Sequence, residues 1–171
     1  MEKVIILGGN NNHNIKWVNN MRSLYQKDYE VFGIYYDSWF NYTQLDFDTE
    51  LKKIQDLMNN DSEYIIVAKS IGSILSLTGI NNGMFAPKKL IVMGLPLKLT
   101  ETNNINLKEL LDCASQKQEI MVIQQKYDPL GRTSDIKKLL SDNIKFVEIN
   151  GNNHKYAKYE YIKDIIDEFI N

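Results

Sequence analysis

Tyr64-Ile65-Ile66-Val67-Ala68-Lys69-Ser70-Ile71-Gly72-Ser73-Ile74-Leu75 runs from one apolar stretch, through a single serine, into another with no linker between them. The residues Tyr64–Ala68 are apolar without alternation, as in a strand covered on both faces; a half-buried strand would alternate. The apolar segment from Ile74 through Leu77 starts a helix immediately. A strand that feeds a helix so abruptly forces the serine into an unfavourable backbone conformation. Ala68 and Gly72, two residues before and two after Ser70, are small enough to let such a turn close. The turn lifts the hydroxyl above the sheet and leaves the Ile71 N–H unpaired at the positive end of the helix. The competing reading is an ordinary helix N-cap, a common place for serine.

Working outward, the same pattern repeats along the chain. Strands are predicted over Lys3–Leu7, Val31–Tyr35, Tyr64–Ala68, Lys89–Met93, Ile120–Gln124 and Lys145–Ile149. Helical spacing of apolar residues covers Ile15–Lys27, Asp46–Asn59, Leu107–Gln116 and Tyr159–Ile170, each with one stripe to bury. Asparagine runs, among them Asn10-Asn11-Asn12 and Asn59-Asn60, mark turns between these segments. Gly94–Asn106, with Pro96 inside it, reads as a long loop. The alternation predicts an α/β fold: a three-layer sandwich with a six-stranded, mainly parallel sheet and helices on both faces. No boundary or repeat divides the sequence, so residues 1–171 are expected to form one domain. In such sheets ligands bind beyond the carboxyl ends of the strands.

Two more of those ends carry chemistry. The fifth strand leads into Gln125-Lys126-Tyr127-Asp128-Pro129-Leu130-Gly131, which also has the signature of a type I turn and so fixes where the Asp128 carboxylate points. The sixth leads into Asn150-Gly151-Asn152-Asn153-His154, which holds one of only two histidines. Ser70, Asp128 and His154 thus follow three different strands at the same end of the sheet. A serine hydroxyl is a weak nucleophile at neutral pH and needs an imidazole to take its proton. The imidazole in turn needs a carboxylate to fix its tautomer and stabilise its charged form.

These segments, with Ile5-Ile6-Leu7-Gly8-Gly9-Asn10 after the first strand, resemble the α/β-hydrolase family over nearly the whole chain. The resemblance implies a small, lidless serine hydrolase cutting an ester or thioester, with Ser70 as nucleophile, His154 as general acid/base and Asp128 as its orienting partner. It further implies an oxyanion hole made by the backbone N–H groups of Asn10 and Ile71. The departures are Ala68 in place of the first elbow glycine, Gly8 where many members have histidine, and Gln125 where glycine often precedes the acid turn. The first two strands of the larger family sheet are missing, which implies a pared-down, six-stranded version.

Composition narrows the remaining classes. The 171 residues carry 20 Lys+Arg against 22 Asp+Glu, so the basic face of a general nucleic-acid binder is not expected. At 43% hydrophobic residues, the chain can build a core that needs no metal or disulfide staple, and its one cysteine, Cys113, cannot form an internal disulfide. No stretch reaches the 18 apolar residues of a membrane span, and the amino-terminal run of four is shorter than a secretory leader requires, so a cytoplasmic location is expected. No cofactor is expected, and no metal either, since no zinc spacing occurs among the two histidines and one cysteine. The partner expected is a small acyl substrate; the sequence specifies neither the acyl group nor an oligomeric state. Trp39 and Phe40 are candidate pocket-lining residues, with burial under a loop as the alternative. His13 lies near the site but lacks a carboxylate to orient it, and Lys69 is expected to face away from the cleft or to pair with a carboxylate. Two other classes stay open: a non-catalytic binding module on the same architecture, and a nucleotide-binding domain starting from Leu7-Gly8-Gly9-Asn10, which departs from both phosphate-loop patterns.

Overall fold

The computed structural model describes residues 2–58 and 63–171. Its centre is a six-stranded, all-parallel sheet in the order β2-β1-β3-β4-β5-β6. The strands are β1 (Lys3–Leu7), β2 (Glu30–Ile34), β3 (Tyr64–Lys69), β4 (Lys89–Met93), β5 (Glu119–Gln125) and β6 (Lys145–Ile149). The helices are α1 (Asn14–Tyr25), α2 (Ser38–Asn41), α3 (Phe47–Leu57), α4 (Ile71–Asn81), α5 (Leu97–Thr102), α6 (Leu107–Ser115), α7 (Thr133–Ile136) and α8 (Tyr159–Ile170), with a 3-10 turn at Lys137–Leu139. α1 packs with α8, whereas α4 packs with α3 and α6, so the sheet is covered in two groups.

Burial explains which runs were continuous and which were not. β3 is buried at every residue, as is β1 after Lys3, while the edge strands β2 and β6 are only partly covered. The core formed by β1, β3, β4 and β5, with Val18, Leu75 and Ile166 from the helices, is one contiguous cluster. Burying each such side chain contributes about 1.5–3 kcal/mol.

The sequence boundaries shift by small amounts for local reasons. The second strand begins at Glu30 because its N–H donates to the Glu2 carbonyl (3.1 Å), extending the parallel ladder backward. The helix expected from Asp46 begins at Phe47, because Asp46 is its cap: the carboxylate accepts from the Asp48 and Thr49 N–H groups. The expected carboxyl end of that helix at Asn59 and the turn at Asn59-Asn60 lie outside the described residues. The Gly94–Asn106 segment is not a plain loop but contains α5, a helix of six residues too short to show a period. Among the described residues, no helix is long and apolar enough to cross a membrane.

The chain winds outward from β1 to β2, then returns to β3 on the other side of β1, which makes the β1/β3 pair the point where strand order reverses. A crevice opens there beyond the carboxyl ends. Leu7 pairs with Ala68, Lys69 with Met93, and Gln125 with Ile149, so the loops after β1, β3, β4, β5 and β6 emerge side by side. The β3–α4 junction has no spare room: a Cβ on Gly72 would meet the Gly8 carbonyl oxygen at 2.7 Å and Leu7 Cβ at 2.8 Å. Gly72→Ala is therefore expected to cost about 1–3 kcal/mol by overpacking against backbone that cannot yield. Urea unfolding checks this, and an unchanged midpoint would show that the junction is looser than its contacts imply.

Candidate active site

Ser70 sits between β3 and α4 with φ 55° and ψ −120°, a conformation costly for any residue with a Cβ. The surroundings hold it there. The Ser70 N–H donates to the Met93 carbonyl at 2.9 Å, and the Gly72 N–H donates to the Gly8 carbonyl at 3.1 Å. Gly8 oxygen also accepts from the buried Tyr36 hydroxyl at 3.0 Å. The Ser70 side chain makes no capping bond to α4, which removes the N-cap reading. Its Oγ instead lies 2.9 Å from His154 Nε2.

The other ring nitrogen meets the acid. His154 Nδ1 is 2.8 Å from Asp128 Oδ2 and 2.9 Å from Oδ1. Asp128 is 1% exposed, yet its carboxylate has two further donors: the Leu130 N–H at 2.9 Å and the Tyr156 hydroxyl at 2.7 Å. Burial pushes the Asp128 carboxyl up, but the hydrogen bond and charge of His154, with the Tyr156 and Leu130 bonds, together bring it below the usual carboxylate range. It is a stably ionised partner for the ring.

Two backbone N–H groups near the serine are unpaired among the described residues: neither the Ile71 N–H nor the Asn10 N–H has a hydrogen-bond partner. The loop carrying Asn10 is braced from within: the Asn14 side chain donates to the Asn11 carbonyl at 2.9 Å and to Asn11 Oδ1 at 3.0 Å. Asn10, Ser70 and His154 all line one open cleft of about 860 Å³. Among the described residues, no group of three His, Cys, Asp or Glu side chains converges as a metal site would require.

Comparison with solved structures adds the architecture's relatives. The chain is similar to an α/β hydrolase enzyme from the metagenome of sediments of the Mar Chica lagoon, Morocco: TM-score 0.75, 16% identity, 98% of this chain and 90% of that one covered. The chain has the α/β-hydrolase fold. It is likewise similar to Est1E from Butyrivibrio proteoclasticus, solved with ferulic acid bound, at a TM-score of 0.80 and 11% identity over 99% of this chain and 88% of that one. An uncharacterized protein from Bacillus cereus matches at a TM-score of 0.73 and 17% identity over 98% of this chain. Only 58% of that longer chain is covered, so the present one spans little more than half its length. No family model matches the sequence, and no curated protein sequence matches it.

Within this α/β-hydrolase fold, the remaining candidates separate cleanly. Trp39 is 3% exposed and packs against Tyr36 in the core, and Phe40 is 62% exposed; neither lines the cleft that holds Ser70 or the recess beside Asn10 and Ile71. His13 lines the cleft, but from an exposed position with no carboxylate at its ring among the described residues. Lys69 corrects the expectation made for it. It neither turns away nor finds an acid, but lines the cleft with no ion pair among the described residues.

Three supporting side chains were invisible in the sequence. Gln125, seen there only as a departure, accepts from the Asn153 N–H at 3.0 Å and so anchors the histidine loop to β5. Gln124 accepts from the Leu95 N–H at 2.9 Å and donates to the Gly131 carbonyl at 2.6 Å, tying the acid turn to the loop after β4. Tyr156 accepts from the Gln125 N–H at 2.9 Å while donating to Asp128. The only signal for these was closeness in sequence to Asp128 and His154.

Tyr156→Phe removes a donor from a buried carboxylate and leaves the Gln125 N–H unpaired, a loss of about 1–3 kcal/mol. The sign with pH follows from the lowered Asp128 carboxyl. A depressed carboxyl contributes stability above its unfolded value, and that stability is lost as pH falls through the folded value. Without Tyr156 the folded value rises, so acid unfolding followed by circular dichroism should begin at higher pH in the variant. Coincident acid transitions would mean that the Tyr156 hydroxyl does not support the charged carboxylate.

Proposed function

We propose that the protein is a serine hydrolase that cleaves an ester or thioester through an acyl-enzyme on Ser70. The observation that carries this reading is the continuous contact from Ser70 Oγ to His154 Nε2, and from His154 Nδ1 to Asp128. A core histidine would not need a hydroxyl from a cleft-lining serine, and a capping serine would turn toward its own helix. The α/β-hydrolase fold adds support, although one fold hosts many chemistries.

With Nδ1 protonated toward Asp128, His154 Nε2 takes the Ser70 proton as Oγ bonds to the acyl carbon. The carbonyl electrons move onto oxygen, and the Ile71 and Asn10 N–H groups donate hydrogen bonds to the resulting oxyanion. Each such donor is typically worth about 3–4 kcal/mol in the transition state. The intermediate then collapses, the acyl–oxygen or acyl–sulfur bond breaks, and His154 gives its proton to the departing alcohol or thiol. Water next loses a proton to His154 Nε2 and attacks the acyl-serine. The acid departs, and Oγ recovers its proton. Asp128 stays ionised throughout and stabilises the imidazolium in both halves. Beside Asn10 and Ile71 lies an apolar recess of about 310 Å³, walled in part by Phe47, Ile74, Leu99 and Ile105, which suits the acyl chain.

Fluorophosphonate labelling with peptide mapping tests the reading. The folded protein is expected to be modified at Ser70 alone. Ser70→Ala should keep its circular dichroism spectrum and lose label and short p-nitrophenyl ester turnover by at least about 10³-fold. An unlabelled Ser70 across several probes, or undiminished turnover in the variant, would instead favour a binding module on this architecture.

A further inference from the structure

Two recesses share Asn10 and Leu99, and the rest of their walls differ in kind. The recess beside Asn10 and Ile71 is mostly apolar. The larger cleft, which contains Ser70 and His154, is lined by Lys16, Lys69 and Lys155, with Trp17 and His13. No Asp or Glu lines it among the described residues, although the chain as a whole carries more acidic than basic groups, 22 against 20.

Lys69 is the anomaly in that wall. It is 7% exposed, and buried lysines are ordinarily paired with an acid. Among the described residues its Nζ has only the Lys155 carbonyl at 3.5 Å and the face of Trp17, 5.3 Å from the ring centroid. An ammonium has three N–H donors, so this is poor satisfaction. Burial brings the group down to about 8, while the nearby Asp128 charge pulls the other way. Beside Ser70 the fold holds a buried cation that makes no ion pair among the described residues, and an anion on the substrate would supply a partner through charge-assisted hydrogen bonds.

The position of His154 decides which part of the substrate that is. The leaving atom must meet His154 Nε2 to receive its proton, and His154 lines the lysine cleft but not the apolar recess. We infer, building on the hydrolase reading of Ser70, that the cleft takes the leaving group and that Lys69 selects one bearing a fixed negative charge, a carboxylate or a phosphate. Lys16 and Lys155 are exposed, so they steer such a group toward the cleft and are screened by salt.

The test compares butyrate esters of 4-nitrophenol and of 5-hydroxy-2-nitrobenzoic acid, which is the same chromophore with an added carboxylate. The full chain is expected to favour the carboxylated ester in kcat/KM by about 10- to 100-fold, the range set by a hydrogen bond to a charged group. Lys69→Met should lower that preference by at least about 10-fold. Because the preference is a ratio within one preparation, it does not depend on how much of a variant folds. Lys16→Gln and Lys155→Gln should lower it only about 3-fold or less, and less again in high salt. Competitive inhibition by benzoate or by phenyl phosphate, lost in Lys69→Met, reports which anion fits.

Equal turnover of both esters by the unaltered protein overturns the anion selectivity while leaving the hydrolase reading intact. Turnover of neither overturns the hydrolase reading itself. An equal loss on both esters in Lys69→Met assigns Lys69 a structural role and sinks the inference. A preference for 4-nitrophenyl hemiglutarate over 4-nitrophenyl valerate, with none for the carboxylated leaving group, puts the charge on the acyl side and contradicts the placement.

Discussion

The left-handed turn at Ser70 is the constraint from which the rest of the site follows. A serine at φ 55° is unfavourable on its own and survives because the sheet around it leaves no alternative. β3 lies between β1 and β4, and both neighbours contribute a carbonyl: Met93 to the Ser70 N–H, and Gly8 to the Gly72 N–H. Those bonds hold the hydroxyl clear of the sheet and start α4 beneath it. They also bring the loop after β1 against the elbow, so that the Asn10 and Ile71 donors border the same recess. Parallel register therefore does for this site what a long binding loop would do less rigidly.

A second dependence runs through the buried acid. An ionised carboxylate at 1% exposure would be expensive if left alone. Asp128 is accompanied by the His154 ring, the Tyr156 hydroxyl and the Leu130 N–H. Tyr156 also accepts from β5, and its carbonyl accepts from the Trp17 indole at 3.1 Å, so the acid, the histidine loop and α1 form one network. Gly94 makes room for it, since a Cβ there would lie 2.6 Å from the Tyr156 ring and 3.1 Å from His154 Cε1. The turn at Asp128 and the turn at Ser70 meet only because this network closes between them.

The readable parts of the sequence were those fixed by local rules. Continuous apolar runs such as Val4–Leu7 and Tyr64–Ala68 identified central strands because burial on both faces leaves no alternation. Ser70 could be located because its turn demands small residues at Ala68 and Gly72. What could not be read depends on contacts between distant segments. Nothing local distinguishes the Tyr156 hydroxyl that reaches Asp128 from an ordinary surface tyrosine. Trp39 has the composition of a pocket wall but packs under Gly8, where a Cβ would already be 3.2 Å from its ring. Lys69 ends β3 as its one charged residue, yet only the tertiary placement of Trp17 and Lys155 encloses it. α5 escaped because six residues are too few for a helical period to emerge.

The central claim is that Ser70 and His154 act as one chemical unit, and a double-mutant cycle reads that directly. Groups that work as a unit lose almost everything when either is removed, so their effects do not add. Turnover of an activated ester should fall to nearly the same residual level in Ser70→Ala, in His154→Ala and in the double variant, each still folded by circular dichroism. Losses that multiply in the double variant would mean that the two side chains contribute independently, and that their 2.9 Å contact is not the basis of the chemistry.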